Sequence, residues 1–274
     1  MSIVLITGSC GLVGSESVKF FVSKGFDVIG IDNNSRLDFF GKDGDINWVK
    51  KNLIKSYRRY IHRNIDIRNY SALEKVFKKY KNSIKLIKIH KNYTHNNLDI
   101  RNYSALEKIF KKYKNSIKLI IHSAAQPSHD WAKRKPFIDF GINALGTLNL
   151  LNLTRMYSYN APFIFMSTNK VYGDNPNLLP LNELKYRWEI SKKHKYFKGI
   201  NESMSLDNCV HSFFGASKTY ADLIVQEYGK NEGLKTVCFR AGCITGPNHS
   251  GAKLHGFLSY LVKTSLKTKK YFIF

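Results

Sequence analysis

Apolar and polar positions change their period repeatedly along the chain. Residues 1–7 (MSIVLIT) form a short apolar run, residues 14–24 carry a helical pattern that stops at Gly25, and residues 27–31 form a second apolar run. Two strands joined through a helix make a βαβ unit, whose strands are parallel. Further apolar runs follow at 119–122, 163–166 and 236–239, with helical patterns between them. The pattern predicts an α/β protein with a doubly wound parallel sheet, because strands this apolar suit a sheet covered on both faces.

One segment occurs twice in the chain. DIRNYSALEKVFKKYKNSIKLI at 66–87 returns as DIRNYSALEKIFKKYKNSIKLI at 99–120, with a single Val76/Ile109 difference. Two copies fit a solenoid poorly, since stacked repeats need at least three units, so a tandem duplication within an ordinary fold is favoured. Each copy predicts a strand end, a helix capped near Ser71 or Ser104, and a short apolar strand. Only the second copy continues into IIHSAAQ, so we expect it in the sheet, with the first copy peripheral or poorly ordered.

Three glycines follow the first predicted strand and open the first predicted helix. Gly8, Gly11 and Gly14 permit a tight turn and a close approach of the backbone to a pyrophosphate, which would sit at the positive end of the helix dipole. Asp32 ends the second strand, where its carboxylate can accept hydrogen bonds from both adenosine ribose hydroxyls and would repel a 2′-phosphate. The unit therefore predicts dinucleotide binding, with NAD favoured over NADP. Arg36 lies close enough to leave the choice of cofactor open.

The composition adds a strong basic bias and few other constraints. The chain has 44 Lys and Arg against 20 Asp and Glu, a net charge of +24, which favours anionic ligands such as nucleotide sugars. The basic residues are scattered and form no arm interleaved with aromatics, so we expect no specific nucleic-acid partner. Four cysteines without metal-ligand spacing predict reduced thiols and no metal site. Without a signal-type or membrane-spanning run, we expect a soluble, cytoplasmic protein with no membrane partner.

Several motifs carry a family resemblance. The turn TGSCGLVG at 7–14, Asp99-Ile100, HSAAQ at 122–126, Asn143, STNKVYGD at 167–174 and Lys218 together resemble the extended short-chain dehydrogenase/reductase superfamily, whose NAD-binding domain is a Rossmann fold. AAQPSHDWA, STNKVYGD, FGASK and CFRAGCITGPNHSGAKLHGF are similar to the CDP-paratose 2-epimerase (tyvelose epimerase) group. The resemblance covers nearly the whole chain apart from the duplicated insert. The cofactor-binding residues that the turn and the resemblance together imply are Gly8, Gly11, Leu12, Val13, Gly14, Asp32, Asn33, Asp99, Ile100, Ala124, Ala125, Gln126, Asn143 and Lys218. Asp66 and Ile67 match the Asp99-Ile100 motif equally well, and we choose the second pair for its continuity with the following strand.

The resemblance also implies the chemistry. Such epimerases oxidise a sugar carbinol with bound NAD and return the hydride to the opposite face, which needs a proton acceptor for the hydroxyl. Thr168 would bond the reacting hydroxyl and Lys218 would orient the nicotinamide ribose. The family's tyrosine four residues before the lysine is here Phe214, and a phenyl ring exchanges no proton. Tyr172, His211 or Cys243 could take over its role, with Tyr172 chosen beside Thr168 and Lys218 as the catalytic set.

Two further positions separate the candidate reactions. Sugar-nucleotide dehydratases carry an Asp-Glu pair where this chain has Asn169 and Lys170, which disfavours dehydration because an amide cannot act as a general acid. Polar residues expected to contact substrate are Ser128, His129, Asn169, Arg240, Asn248 and His249. Half of these could instead cap turns, and Arg240 could form an ion pair at a strand end in place of gripping a phosphate.

These features predict one NAD(P)-binding Rossmann domain over residues 1–274. Substrate-lobe segments are expected near 174–210 and 243–274, and the lobe is expected to be truncated because the resemblance leads us to expect more of it. The predicted function is that of a nucleotide-sugar epimerase with a CDP-sugar favoured as substrate. The alternative is a non-catalytic NAD-binding protein, a sensor or remnant, because of Phe214. The sugar and the oligomeric state, including a homo-oligomer, stay open.

Overall fold

A single parallel sheet forms the centre of the computed structural model, which describes residues 3–57, 93–252 and 255–267. Its strands are β1 (Ile3–Thr7), β2 (Asp27–Ile31), β3 (Tyr93–Asn96), β4 (Ile117–His122), β5 (Phe163–Thr168) and β8 (Thr236–Ala241). They lie in the order β3-β2-β1-β4-β5-β8, and every pairing is parallel. The predicted doubly wound sheet is therefore confirmed.

Helices connect these strands on both faces of the sheet. They are α1 (Leu12–Ser23), α2 (Arg36–Phe40), α3 (Asn47–Ser56), α4 (Tyr103–Tyr113), α5 (His129–Arg134), α6 (Pro136–Phe140), α7 (Gly146–Tyr157), α8 (Ser212–Lys230) and α9 (Phe257–Ser265). Short 3-10 turns occupy Gly41–Gly44, Lys114–Ser116, Asn169–Tyr172 and Asn175–Leu178, and a π-helical turn at Gly141–Leu145 joins α6 to α7. Among the described residues, no helix combines the length and apolar character needed to cross a bilayer.

The first strand shows why both faces must be covered. Ile3 and Leu5 pack into one hydrophobic cluster, whereas Val4 and Ile6 pack into a second cluster on the opposite face. Successive side chains of a strand point to opposite faces, so an uninterrupted apolar strand requires a helical layer on each side. The chain moves outward from β1 to β3 and then crosses to β4, so the strand order reverses between β1 and β4. Ligands of open α/β sheets bind at the carboxyl ends of the strands at such a reversal.

The second copy of the duplicated segment occupies the sheet, as predicted. It supplies α4 and β4, and β4 pairs with both β1 and β5. The helix cap differs slightly from the prediction: Asn102, and not Ser104, is the N-cap, and its side chain accepts a hydrogen bond from the backbone N–H of Ala105. An Asn cap satisfies one of the donors that a helix start leaves without a partner. The first copy, at 66–87, lies outside the described residues.

Residues 174–210, predicted to belong to the substrate lobe, contain little regular structure. An antiparallel hairpin of β6 (Leu181–Glu183) and β7 (Trp188–Ile190) is joined by turns, and a small cluster of Val171, Tyr172, Tyr196 and Met204 packs at its base. In the second predicted segment, α9 follows a loop that reaches back toward α2. There Arg36 donates a hydrogen bond to the Ser250 carbonyl at 2.7 Å, and Lys263 pairs with Asp43 at 2.5 Å.

The first repeat should be dispensable for folding. The sequence identity between the copies extends upstream, where Tyr60, His62 and Asn64 match Tyr93, His95 and Asn97. Deleting residues 60–92 would leave a two-residue connection between Tyr57 and β3, within the usual range for such loops. We expect the deletion to change the free energy of unfolding by about 1 kcal/mol or less, measured by urea denaturation. Loss of cooperative unfolding in this variant would refute the prediction.

Candidate cofactor and active site

The glycine turn between β1 and α1 brings the backbone close to the end of β4. Gly8 has a left-handed φ of +66°, and a side chain there would place its Cβ 2.9 Å from the backbone nitrogen of Ala124. A Cβ on Gly14 would collide with the carbonyl of Gly8. Both positions therefore require glycine. The amino end of α1 faces the resulting turn, and free N–H groups at a helix start attract a phosphate.

Asp32 lies beside this turn at the end of β2. Its two carboxylate oxygens accept hydrogen bonds from the backbone N–H groups of Cys10 at 2.9 Å and Asn34 at 2.8 Å. Burial raises the pKa of Asp32, and these hydrogen bonds together with the charges of Lys50 and Arg36 oppose that increase. Each carboxylate oxygen keeps a further acceptor site, so the group can also take the two hydroxyls of an adenosine ribose.

A cleft of about 750 Å³ opens at the carboxyl ends of the strands and joins the predicted cofactor residues to the predicted chemical ones. Predicted residues on its wall are Gly8, Gly11, Leu12, Val13, Gly14, Asp32, Asn33, Asp99, Ile100, Ala124, Ala125, His129, Thr168, Asn169, Lys218, Asn248 and His249. Residues 99 and 100 of the second repeat thus lie where the continuity argument predicts them. The cleft has the size of a cofactor and small-molecule site.

Thr168 and Lys218 meet in this cleft from two elements. Thr168 ends β5, where its Oγ1 accepts a hydrogen bond from the Lys170 backbone at 3.2 Å. Lys218, on α8, is only 3% exposed; its Nζ donates to the Met166 carbonyl at 2.8 Å and lies 4.1 Å from the centre of the Phe165 ring. Burial lowers the pKa of Lys218 to about 7, although Asp222, Cys238 and Asp139 favour its charged form.

Gln126, Asn143 and Ser128 were predicted to contact cofactor or substrate, and the structure places them behind the cleft wall. Asn143 accepts a hydrogen bond from the Gln126 backbone at 2.9 Å and donates to Asp139 at 3.1 Å and Ser217 at 3.1 Å. The Gln126 side chain also donates to Asp139, at 2.7 Å. Ser128 caps α5 by accepting from the Trp131 N–H. These buried polar groups satisfy one another, as buried donors and acceptors must, and none of the three lines the cleft.

Arg240 and Tyr172 also lie off the cleft wall. Arg240 donates two hydrogen bonds to the Asp222 carboxylate, from Nη2 to Oδ1 at 2.8 Å and from Nε to Oδ2 at 3.2 Å. It also donates to the Tyr172 hydroxyl at 3.1 Å. That hydroxyl donates to the Asn201 carbonyl at 3.2 Å, and neither Arg240 nor Tyr172 lines the cleft. The sequence analysis gave an ion pair at a strand end as the alternative role of Arg240, and the structure shows that ion pair, with Asp222. A largely buried, bidentate guanidinium is held by its carboxylate partner, and the structure places neither the Arg240 guanidinium nor the Tyr172 hydroxyl on the cleft wall.

Asn248 and His249 line the same cleft, near α1 and α2. The Asn248 amide donates to Glu16 of α1. The His249 ring lies 5.6 Å from that of His255, whose Nδ1 is 3.5 Å from the Arg36 guanidinium. Nδ1 of His249 is buried without a hydrogen-bond partner among the described residues.

The sequence motifs did not reveal the role of His122, which fixes the turn that carries Ala124 and Ala125. Thr147 donates to the Asn143 carbonyl at 2.6 Å, so its hydroxyl accepts from Nε2 of His122 at 2.8 Å. Nδ1 then accepts from Thr7 at 2.8 Å, and the Thr7 oxygen accepts from the Ala124 N–H at 3.2 Å. Burial, with a smaller effect of Lys218, lowers the pKa of His122 to about 3, so the ring is neutral. A histidine ending an apolar strand was the only sequence signal.

Comparison with known proteins agrees with this geometry. The model of the NAD dependent epimerase/dehydratase family matches residues 4–274. The chain belongs to this family. NAD is the cofactor in the family's own description, and the cleft residues of the glycine turn and Asp32 fit it.

Family members with curated functions are similar over nearly all of this chain. A CDP-paratose 2-epimerase of Salmonella typhi is 30% identical over 266 residues, which cover 97% of this chain and 64% of the relative. A putative UDP-glucose 4-epimerase of Methanocaldococcus jannaschii is 24% identical over 99% of this chain and 65% of its own length. The chain thus spans about two thirds of the length of these relatives.

Solved structures show the same fold. A UDP-glucose 4-epimerase from Thermotoga maritima with UDP-glucose superposes with a TM-score of 0.63 at 20% identity, over 99% of this chain and 65% of that one. The Thermus thermophilus UDP-glucose 4-epimerase complex with NAD gives a TM-score of 0.62 at 22% identity, over 97% and 63% of the two chains.

Asp32 should govern affinity for NAD. We expect Asp32→Asn to weaken NAD binding about 10- to 100-fold, because hydrogen bonds to a charged group contribute about 1.5–3 kcal/mol. Isothermal titration calorimetry measures the change. Asp38→Asn, an exposed residue of the neighbouring α2, is the matched control and should bind as the wild type does. Equal affinities in the two variants would rule out contact between Asp32 and the ribose.

Lys218 should make stability depend on pH. Between pH 7 and about 10, the unfolded lysine keeps its proton while the folded one has lost it, so the unfolded state binds more protons and the free energy of unfolding rises with pH. We therefore expect the wild type to gain stability relative to Lys218→Met as the pH increases across this range, measured by urea denaturation of both proteins. A constant difference between them would mean that Lys218 keeps its ordinary pKa.

Proposed function

We propose that this protein is an NAD-dependent nucleotide-sugar epimerase that inverts a sugar carbon by transient oxidation and re-reduction of its carbinol. The supporting observation is the single cleft whose wall carries the dinucleotide turn, Asp32, Thr168 and Lys218. When bound, NAD accepts the hydride and gives it back. The family match and the similarity to sugar-nucleotide epimerases agree with this reaction class.

The chain's own residues have distinct roles in this proposal. Gly8 and Gly14 admit the pyrophosphate to the start of α1, and Asp32 accepts hydrogen bonds from the adenosine ribose. Thr168 bonds the reacting hydroxyl at the end of β5. Lys218, held at the Met166 carbonyl, orients the nicotinamide ribose. Asn169 and Lys170, which line the same cleft, provide no acid-base pair for dehydration.

A CDP-linked sugar is the proposed substrate, with inversion at C2. Support for this choice comes from the 30% identity to the Salmonella typhi CDP-paratose 2-epimerase and from the motifs AAQPSHDWA and TGPNHSGAKLHGF. The net charge of +24 favours such an anionic substrate. A homo-oligomer and a cytoplasmic location stay predictions from the sequence.

Incubation of the NAD-loaded protein with CDP-paratose in D₂O tests the reaction, with UDP-glucose as the comparison substrate. We expect an inverted CDP-sugar, seen by proton NMR, that carries no deuterium at the inverted carbon, because the substrate's own hydrogen returns to it. Thr168→Val should slow the reaction about 10- to 100-fold through the loss of one hydrogen bond to a developing charge. Thr219→Val is the matched control, since Thr219 bonds a carbonyl of its own helix.

The outcomes separate the candidate functions. Inversion with UDP-glucose alone would replace the CDP assignment, and deuterium at the inverted carbon would refute transient oxidation. A protein that binds NAD and turns over neither sugar nucleotide would be the non-catalytic alternative.

A further inference from the structure

Phe214 leaves the cleft without the phenol that the resemblance implies. It lies on α8 one turn before Lys218, and both side chains line the cleft. Oxidation of a carbinol needs a group that removes the hydroxyl proton, and a phenyl ring has no site for one. A replacement must lie in the cleft, close to this ring.

Two of the replacements that the sequence left open lie elsewhere. Tyr172 bonds Asn201 and Arg240 outside the cleft. His211 places Nε2 2.8 Å from the Leu206 carbonyl and 3.3 Å from the Cys209 sulfur, and it does not line the cleft. Cys243 does line it, in the loop after β8.

His129 is the titratable side chain packed directly on Phe214. The two ring centres are 4.7 Å apart, with planes inclined by 58°. His129 is the first residue of α5, immediately after the Ser128 cap, and its ring is exposed on the cleft wall. The imidazole therefore reaches the part of the cleft next to the ring that the family's phenol would occupy.

A hydrogen bond orients this imidazole. Nδ1 of His129 is 3.0 Å from the Ser212 hydroxyl, which also accepts a hydrogen bond from the Gly215 N–H at 3.2 Å. A serine oxygen has room for two donors, so it can accept from Nδ1–H as well. Nε2 makes no hydrogen bond among the described residues, which leaves that nitrogen available to a ligand.

The charges around His129 favour a neutral ring that can take up a proton. Partial desolvation and the neighbouring Lys170 ammonium lower the pKa of His129, and Asp130 opposes them. His255 is the other titratable group in its electrostatic neighbourhood. An unprotonated imidazole at neutral pH is the form that accepts a proton.

We propose that His129 is the catalytic residue that accepts and returns the substrate's hydroxyl proton, in place of the phenol missing at Phe214. This inference rests on the proposed function. In the oxidation the substrate's O–H proton would pass to Nε2 of His129 while bound NAD would take the hydride from the same carbon, so that a ketone forms. In the return step the hydride would be delivered to the opposite face of the carbonyl, and the proton on Nε2 would go back to the oxygen. Nδ1–H stays bonded to Ser212 throughout.

A variant cycle separates proton transfer from a structural role. His129→Gln can keep the bond to Ser212 but exchanges no proton, and we expect a rate loss of about 10²- to 10⁴-fold in a single-turnover assay at 340 nm, with unchanged NAD affinity. Phe214→Tyr added to His129→Gln should recover at least tenfold, because it restores the phenol. His211→Gln is the matched control with wild-type rate. Three results would overturn the proposal. His129→Gln could retain the wild-type rate, or the double variant could bind NAD without recovering activity. Alternatively, Cys243→Ala, and not His129→Gln, could cause the loss.

Nitrogen-15 NMR of histidine-labelled protein gives a readout without turnover. We expect the His129 signal to show the Nδ1–H tautomer, neutral at pH 7, and Ser212→Ala to shift the tautomer balance. An Nε2–H tautomer or a protonated ring at pH 7 would overturn the proposal even if the double variant fails to fold. A wild-type protein that binds NAD but turns over no nucleotide sugar would instead refute the proposed function, which distinguishes the two failures.

Discussion

The close approach of Gly8 to the Ala124 backbone is the constraint on which the cleft depends. The two chain segments can lie this close only because position 8 has no Cβ and adopts a left-handed φ. The approach is fixed from behind by the hydrogen-bonded series from Thr147 through His122 and Thr7 to Ala124. Each group in that series can donate or accept its hydrogen bond in only one direction. The series therefore holds the turn at the end of β4 in one position relative to the glycine turn.

A second buried network separates residues that support the cleft from those that line it. Asp139 accepts hydrogen bonds from Gln126, Asn143 and Ser217, and thereby ties the segment after β4 to α6 and α8. Burial raises the pKa of Asp139, against the hydrogen bonds that favour its charged form. Satisfying this buried carboxyl uses Gln126, Asn143 and Ser217, which therefore support the cleft from behind and do not line it.

Much of the fold could be predicted from sequence because its signals are local. The glycine turn, the apolar strands and the continuity of the second repeat with HSAAQ each lie within a short stretch of chain, and they predicted the sheet, the cofactor turn and the place of Asp99. Local patterns could not predict which side chains become partners after folding. Arg240 meets Asp222, and Asn143 meets Ser217, only after folding. Sequence spacing does not predict which partner a buried cation or amide contacts in the folded protein. The packing of His129 on Phe214 could not be predicted for the same reason.

The tandem repeat has a consequence for how the chain reaches this fold. Two segments that differ at a single position have nearly equal intrinsic preference for the same place beside β1. Composition cannot discriminate between them, so covalent connection to Ser123 and the residues after it must decide which one is accepted. Chain continuity thus selects which of the two segments becomes β4. If the earlier segment pairs with β1 first, that pairing must break before β1, β4 and β5 can form the native sheet.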